Sequence, residues 1–451
     1  MSYRGHARAL LALGLPLVGS HLAQMLLHAT DTVMLGWYGV AELASVVLGS
    51  SSFFIVFILG SGFAIAVMGM IASALGAGDD AQVRRDARMA LWLSVFFAIA
   101  VMPLMWWSGP LLRAAGQEAD VAGLAQDYLR IAGWGMMPAL LVMVLKSYLA
   151  ANERTQVVLW VTLVGVGLNA ALNWALIFGN WGAPELGVRG AAIASLVTQM
   201  MTFLCLALYA ARVPELRRFS LFQRLWRPDW PAFRQVFRLG MPVGLTGLAE
   251  GGLFQAAALM MGWIGTLSLA AHGIAMQITA LTFMVHVGLS SAATVRVGRA
   301  SGGGDARSLT DGAKVAIGLS LGVVGLTVAL FLSAPAFLVG LFLDAGNPDS
   351  TAIIALGTSL LAMAALFQLF DAMQVMALGL LRGVQDTRAP MWIAALSYWV
   401  IGIPVSYVFA FRLDMGAVGL WLGLVVGLAV AAVLLMRRFW ARWGGGATAT
   451  V

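Results

Sequence analysis

Charge is scarce in this chain. Only 10% of its 451 residues are Asp, Glu, Lys or Arg, and 61% are hydrophobic, whereas soluble domains carry about 25% charged residues. The mean hydropathy of +0.89 excludes a water-soluble globular domain. Cysteine is almost missing. Cys205, set in an apolar run, is the one copy, so neither an intrachain disulfide nor a cysteine-rich metal centre can form. The five histidines include no H-E-x-x-H pair, and no G-x-S-x-G occurs, so the usual hydrolase signatures are absent. "SGGGDA" at 301–306 is not followed by the Lys-Ser/Thr of a phosphate-binding loop. ATP is therefore not expected to be the direct energy source, and an enzyme is not indicated. Alternating ten-residue strands are also missing, which excludes a membrane β-barrel.

What is present is a succession of apolar runs, each long enough to cross roughly 30 Å of hydrocarbon as a helix. Hydropathy and helix breakers place them near 10–35, 43–75, 88–108, 124–149, 156–178, 188–211, 237–263, 268–300, 313–339, 351–380, 391–411 and 415–437. The fold class is all-α polytopic membrane protein, with 12 transmembrane helices. The second and eighth runs are too long for straight crossings and should tilt or extend past the hydrocarbon. The N-terminal "MSYRGHARAL" has the basic flank of a signal peptide, but no convincing cleavage site follows, so it is read as a retained first helix.

The 27 Lys and Arg residues set the orientation. With both termini cytoplasmic, all but Arg113, Arg130, Arg189 and Arg412 fall on cytoplasmic segments or helix ends, as the positive-inside bias requires. The most basic connection, 212–236, carries Arg212, Arg217, Arg218, Arg224, Arg227 and Arg234 against Glu215 and Asp229. It reads as a solvated segment near anionic headgroups, and no nucleic-acid partner is expected. It divides an N-terminal lobe, 1–211 with helices 1–6, from a C-terminal lobe, 237–451 with helices 7–12.

The two lobes repeat one another. "LGLP" at 13–16 matches "LGMP" at 239–242, "MLGWYG" at 34–39 matches "MMGWIG" at 260–265, and "GAGDDA" at 76–81 matches "GGGDAR" at 302–307, all at an offset of 226. "LAANERT" at 149–155 matches "LRGVQDT" at 381–387 at offset 232. Matches in one order across the chain indicate an internal duplication. Six helices per copy leave both copies in the same orientation, a layout typical of transporters. The paired prolines Pro16 and Pro242, and also Pro138 and Pro404, favour bends.

Three acids lie within apolar runs: Asp31 in helix 1, Glu250 in helix 7 and Asp371 in helix 10. A charge at mid-bilayer costs at least about 2.5–3.5 kcal/mol. Such residues must face a cavity, bind a cation, stay protonated or pair with other helices. His21, Gln24, His28 and Asp31 are spaced 3, 4 and 3 and so share one helical stripe. Whether the histidines carry protons or only orient Asp31 is left open by the spacing. At offset 226 Gln24 maps onto Glu250 and Asp31 onto Ala257, so the copies place their acids differently. Asn169 and Asn173 lie at i, i+4 on helix 5. With Asp31 and Thr198 they would make an oxygen-rich nest suited to a hard cation.

Taken in order, "ATDTVMLGWYG", "SALGAGDD", "LNAALNWALIFG", "LAEGGLF" and "FDAMQVMALGLLRGVQDT" resemble the multidrug and toxic compound extrusion family, along essentially the whole chain. The pairing of Glu250 with Asp371 resembles its NorM-like branch. The resemblance implies a C-lobe cation-coupling site at Glu250 and Asp371 with Phe283 and Phe367 nearby, where aromatic faces aid cation binding. It departs from the branch in having phenylalanine at 367, where a tyrosine oxygen is expected. A second, N-lobe site for cation or proton and substrate is implied around Asp31, Asn169, Asn173 and Thr198, with Gln24 and His28 on the same stripe. Na⁺ would be held at Glu250, Asp371 or Asp31.

The implied function is secondary active efflux of amphipathic, often cationic drugs and dyes, by Na⁺ or H⁺ antiport with alternating access. No cofactor is expected beyond the coupling ion. The expected setting is the bacterial inner membrane, as a multi-pass monomer in the lipid bilayer. The alternative within the same broad fold is a flippase for a lipid-linked precursor. That reading calls for arginines lining the cleft, and helix-interior arginines are nearly absent. A channel or receptor fits the duplicated lobes and buried acids less well.

Overall fold

A computed structural model of the chain describes residues 2–343 and 348–444. Twelve helices in it are long and apolar enough to cross a membrane. They are α1 (Tyr3–Tyr38), α2 (Val40–Ala77), α3 (Asp80–Trp106), α4 (Ala119–Ala151), α5 (Thr155–Phe178), α6 (Val188–Arg212), α7 (Trp230–Ile264), α8 (Thr266–Gly302), α9 (Ala306–Ser333), α10 (Ser350–Gly383), α11 (Arg388–Arg412) and α12 (Gly416–Trp443). The all-α, 12-helix expectation holds. Four helices, α1, α2, α7 and α8, run to 35–38 residues. These exceed the roughly 20 residues a straight crossing needs. Pro16 and Pro242 both lie inside continuous helix.

The duplication is visible in the local backbone. Asp79 caps α3 by accepting from Gln82 N at 2.9 Å, and Asp305 caps α9 by accepting from Ser308 N at 2.9 Å. A short side-chain acceptor at this position satisfies one of the unpaired amides of the first turn. Gly39 ends α1 as Gly265 ends α7. At offset 232, Glu153 and Gln385 both adopt left-handed φ, 60° and 59°. The following amides make the same closing bonds, Arg154 N to Leu149 O and Asp386 N to Leu381 O.

Two compact units result. One holds Gly19–Gly244, the other the segment up to Val18 together with Leu245 onward. The breaks fall inside α1 and α7, two residues after Pro16 and Pro242, at positions related by the repeat offset. Close packing explains the exchange. Within the first unit, the start of α7 crosses α2 at backbone contact. A Cβ on Gly62 would collide with the Gly240 carbonyl, and one on Gly244 with the Leu59 carbonyl. Within the second unit, the start of α1 crosses α8 in the equivalent way. A Cβ on Gly288 would lie 2.7 Å from Val18 N, and Gly14 packs over Leu289. Glycine is required where two helix backbones approach this closely.

The 212–236 segment belongs to the first unit and is held against α3. Arg85 grips Asp229 through two nitrogens, Nε at 2.5 Å and Nη2 at 3.2 Å. Arg88 donates to the carbonyls of Ser220, Leu221 and Gln223. Trp92 Nε1 donates to Leu225 O at 2.7 Å. Two arginines of α3 thus fasten the segment.

α11 is irregular. Leu396–Gly402 and Val408–Arg412 are π-helical, on either side of Pro404. Proline cannot donate to the carbonyl one turn back, which loosens the ladder there. π segments of this kind turn side chains out of their normal register.

Candidate functional site

In the first unit, Asp31 is 6% exposed. Its Oδ1 accepts from Asn173 Nδ2 at 2.5 Å and its Oδ2 from Ser195 Oγ at 2.9 Å. Asn173 Nδ2 also donates to Asn169 Oδ1 at 3.2 Å. Both asparagines are fully buried. α1, α5 and α6 therefore each give this cluster a side chain. Asn169 and Asn173 share a face because they are one helical turn apart. Ser195 lies three residues before Thr198, on the same face of α6. The sequence reading did not single out Ser195, although the i, i+3 spacing from Thr198 was available as a signal.

Two buried polar atoms of this cluster have no partner, Asn169 Nδ2 and Asn173 Oδ1, and Thr198 Oγ1, one turn after Ser195 on α6, has none either. Thr198 also borders an apolar crevice between α5 and α6 that reaches Trp160 and Cys205. Buried polar groups are normally paired. Unused ones gathered about a carboxylate mark a place where a ligand can complete the shell. Gln24 does not join Asp31. Its Oε1 accepts from Lys146 Nζ at 3.0 Å. His28 is exposed, and it lies within electrostatic reach of Asp31 with no hydrogen bond to it. His21 is half-buried.

In the second unit Glu250 and Asp371 come within electrostatic reach of each other. Asp371 is 1% exposed, and its Oδ1 has no partner. Gln374 Nε2 approaches Glu250 Oε1 at 3.4 Å, leaving Gln374 Oε1 unpaired. Gln374 sits one turn after Asp371 on α10. One turn before Asp371, Gln368 donates to Thr282 Oγ1 at 2.6 Å. Tyr398, fully buried on the π-helical part of α11, feels the charges of Glu250 and Asp371, and its hydroxyl has no partner. Arg382, toward the end of α10, acts electrostatically on Glu250.

The aromatic residues fare differently. Phe367 packs edge-on against Trp421 (centroids 5.5 Å) and tilted on Phe254 (6.1 Å). Trp421 in turn donates to His272 Nδ1 at 3.1 Å. Phe283 is half-buried. Gln374, Tyr398 and Arg382 were not singled out from sequence. Gln374 carried a spacing signal. Tyr398 carried none, because a π segment breaks the periodicity by which faces are read.

Chemically, both clusters are built from oxygens: carboxylates, amide carbonyls and hydroxyls. Oxygen shells of this kind suit a hard monovalent cation or a proton. Among the described residues, no three His, Cys, Asp or Glu side chains converge to hold a metal ion.

The fold and the paired clusters define a class: a duplicated, twelve-helix membrane protein with carboxylates buried among its helices. The chain belongs to the MatE family, whose model matches residues 16–175 and again 242–408. The second match starts 226 residues after the first, at the repeat offset. A Rhizobium meliloti protein called "Probable multidrug resistance protein NorM" is 46% identical over 97% of this chain and 94% of its own length. One of the same name from Agrobacterium fabrum is 42% identical over the same shares. Among solved structures, an outward-facing multidrug resistance MATE family transporter superposes with a TM-score of 0.89 at 22% identity, covering 98% of this chain and 96% of that one. The eukaryotic MATE transporter AtDTX14 superposes with a TM-score of 0.86 at 20% identity, covering 96% and 95%. Those two likenesses establish the fold. Twelve apolar helices and full-length relatives of this kind make the chain a multi-pass protein of the bacterial inner membrane, and it is not an enzyme.

Proposed function

We propose that the chain is a secondary active efflux transporter. It exports amphipathic, often cationic compounds in exchange for Na⁺ or H⁺, by alternating access, with both termini cytoplasmic. Relatives of nearly the same length bear multidrug resistance names, which supports the efflux reading. The observation that carries the coupling is that Glu250 and Asp371 lie within electrostatic reach of each other inside apolar helices, with Asp371 Oδ1 and Gln374 Oε1 both unpaired. Two carboxylates within electrostatic reach of each other resist joint ionisation in a medium of low dielectric. A cation or proton that enters the pair relieves their repulsion. A cationic substrate can do the same, so substrate and coupling ion compete for one charge requirement. Competition of this kind is what exchange demands. Asp31, with its two donors and its unfilled shell, supplies a second such place in the other repeat.

The test is efflux of ethidium from cells lacking their main pumps, with the intact chain and with Asp371→Asn, Glu250→Gln and Asp31→Asn. Efflux should fall at least about tenfold in the C-lobe variants, since each removes a charge whose neutralisation drives the cycle. Unchanged efflux in all three would sink the coupling. Proteoliposomes given a Na⁺ gradient or a pH gradient separately would identify the ion.

A further inference from the structure

Lys146 is a buried-helix cation that neither cluster uses. It lies on α4, five residues from the helix end at Ala151. A lysine so placed reaches water by extending toward that end. Lys146 turns instead to Gln24 on α1, with Nζ 3.0 Å from Oε1. Both residues are half-buried and lie in the same compact unit. Among the described residues, no carboxylate pairs with Lys146 or stands within electrostatic reach of it. An ammonium within a membrane helix normally has a counter-charge.

The donor inventory defines what is missing. Lys has three N–H donors and no acceptor, so only the carbonyl oxygen of Gln24 can face it. That fixes the amide orientation and leaves Gln24 Nε2 with two unused donors beside an ammonium with spare donors of its own. His21, one turn earlier on the same stripe, lies within reach of the Lys146 charge. Lys146 and Gln24 thus present spare N–H groups side by side. A planar anion with two oxygens fills such a place, because each oxygen can accept from one of the neighbouring donors. Asp31 lies seven residues further along α1, a rise of about 10 Å. An anionic group at Lys146 therefore need not touch the first-repeat carboxylate.

We propose that Lys146 and Gln24 form a subsite for the carboxylate of exported amphipathic acids and zwitterions. The subsite extends the efflux reading above to substrates with an acidic group, and its identity as a substrate site rests on that reading. It accounts for a lysine within a membrane helix that no carboxylate among the described residues matches.

The experiment measures equilibrium binding of a fluoroquinolone carboxylic acid and of its methyl ester to the full chain. The protein is held in phosphatidylcholine nanodiscs, without anionic lipid. Charge-assisted bonding to the ammonium and amide should favour the acid over the ester by about tenfold. Lys146→Met should reduce that preference to less than about twofold, and Lys146→Arg should retain most of it. Gln24→Leu, which removes the amide donors and keeps the ammonium, should give an intermediate preference. It also serves if Lys146→Met does not fold. An undiminished preference in Lys146→Met and Gln24→Leu overturns the subsite, as does a wild-type chain with no preference. Loss of the preference on adding phosphatidylglycerol to the discs would assign the ammonium to a lipid headgroup, and overturn it as well. Ethidium efflux is followed in parallel. Efflux without acid preference leaves the transporter reading intact and removes the subsite. Acid preference without any efflux supports the carboxylate site and removes the transporter reading.

Discussion

At Asp31 the sequence names the acid and its asparagines, and the structure adds Ser195. A carboxylate in an apolar run stands out in any sequence, because the insertion cost attaches to that residue alone. Ser195 does not stand out, since serine is common in helices. Yet it donates to Asp31 Oδ2 at 2.9 Å. A hydrogen bond to a charged group contributes about 1.5–3 kcal/mol. Ser195→Ala should leave Asp31 with fewer donors and a greater demand for a cation. The half-maximal concentration of coupling ion for efflux should then fall roughly tenfold, with maximal efflux reduced because the ion is released less readily. An unchanged ion dependence in proteoliposomes would show that Ser195 does not act on the carboxylate. Gln24 teaches the same lesson from the other side. Its spacing assigned it to the Asp31 stripe, and its side chain turns to Lys146 instead.

Among the elements, the 212–236 segment gained the most from the structure. Composition described it as a solvated basic connection. Its attachment depends on Arg85 and Asp229, far apart in sequence. Asp229 also starts α7, with Oδ1 accepting from Ala232 N at 3.1 Å. The hydrogen-bonded Arg85 guanidinium holds the Asp229 carboxyl below its ordinary range. A carboxyl depressed in the folded state stabilises the fold above its unfolded value, near about 3.9. That contribution is lost as pH falls through the folded value. Asp229→Asn keeps an N-cap residue and removes the ion pair. Because the pair is partly exposed, the loss should be small, within about 1 kcal/mol. The melting temperature of the purified protein should be lower than wild type at pH 7, and that deficit should shrink at pH 3, below the unfolded value. An equal deficit at both pH values would mean that the charge pair is not responsible. In α11, the π-helical stretches around Pro404 show why Tyr398 was hidden: face assignments from sequence assume 3.6 residues per turn.

Across the whole molecule, the duplication organises everything else. The two halves repeat caps, turns and crossing glycines, and each lends the start of one helix to the other's unit. Gly62, beneath the start of α7, and Gly288, beneath the start of α1, are repeat equivalents. Gly62→Val and Gly288→Val should each force the helices apart, at a cost of about 1–3 kcal/mol or more. Both variants should show reduced yield of monodisperse protein by size-exclusion chromatography. A surface-facing glycine without close neighbours, such as Gly318, should tolerate the same change. Normal behaviour of either crossing variant would contradict the backbone contact.

The sequence by itself determined the membrane class, the twelve crossings, the duplication and the three embedded acids. Each of these follows from properties that belong to a residue or to one stretch of chain: apolarity, helical period, self-similarity and the cost of a charge in hydrocarbon. The tertiary structure alone decided which groups meet. It brought Ser195 to Asp31, Tyr398 and Gln374 to the Glu250–Asp371 pair, and Lys146 to Gln24, and it divided α1 and α7 between the two units. Periodicity tells which face of a helix a side chain occupies. Only the packing of one helix against another tells what that face touches.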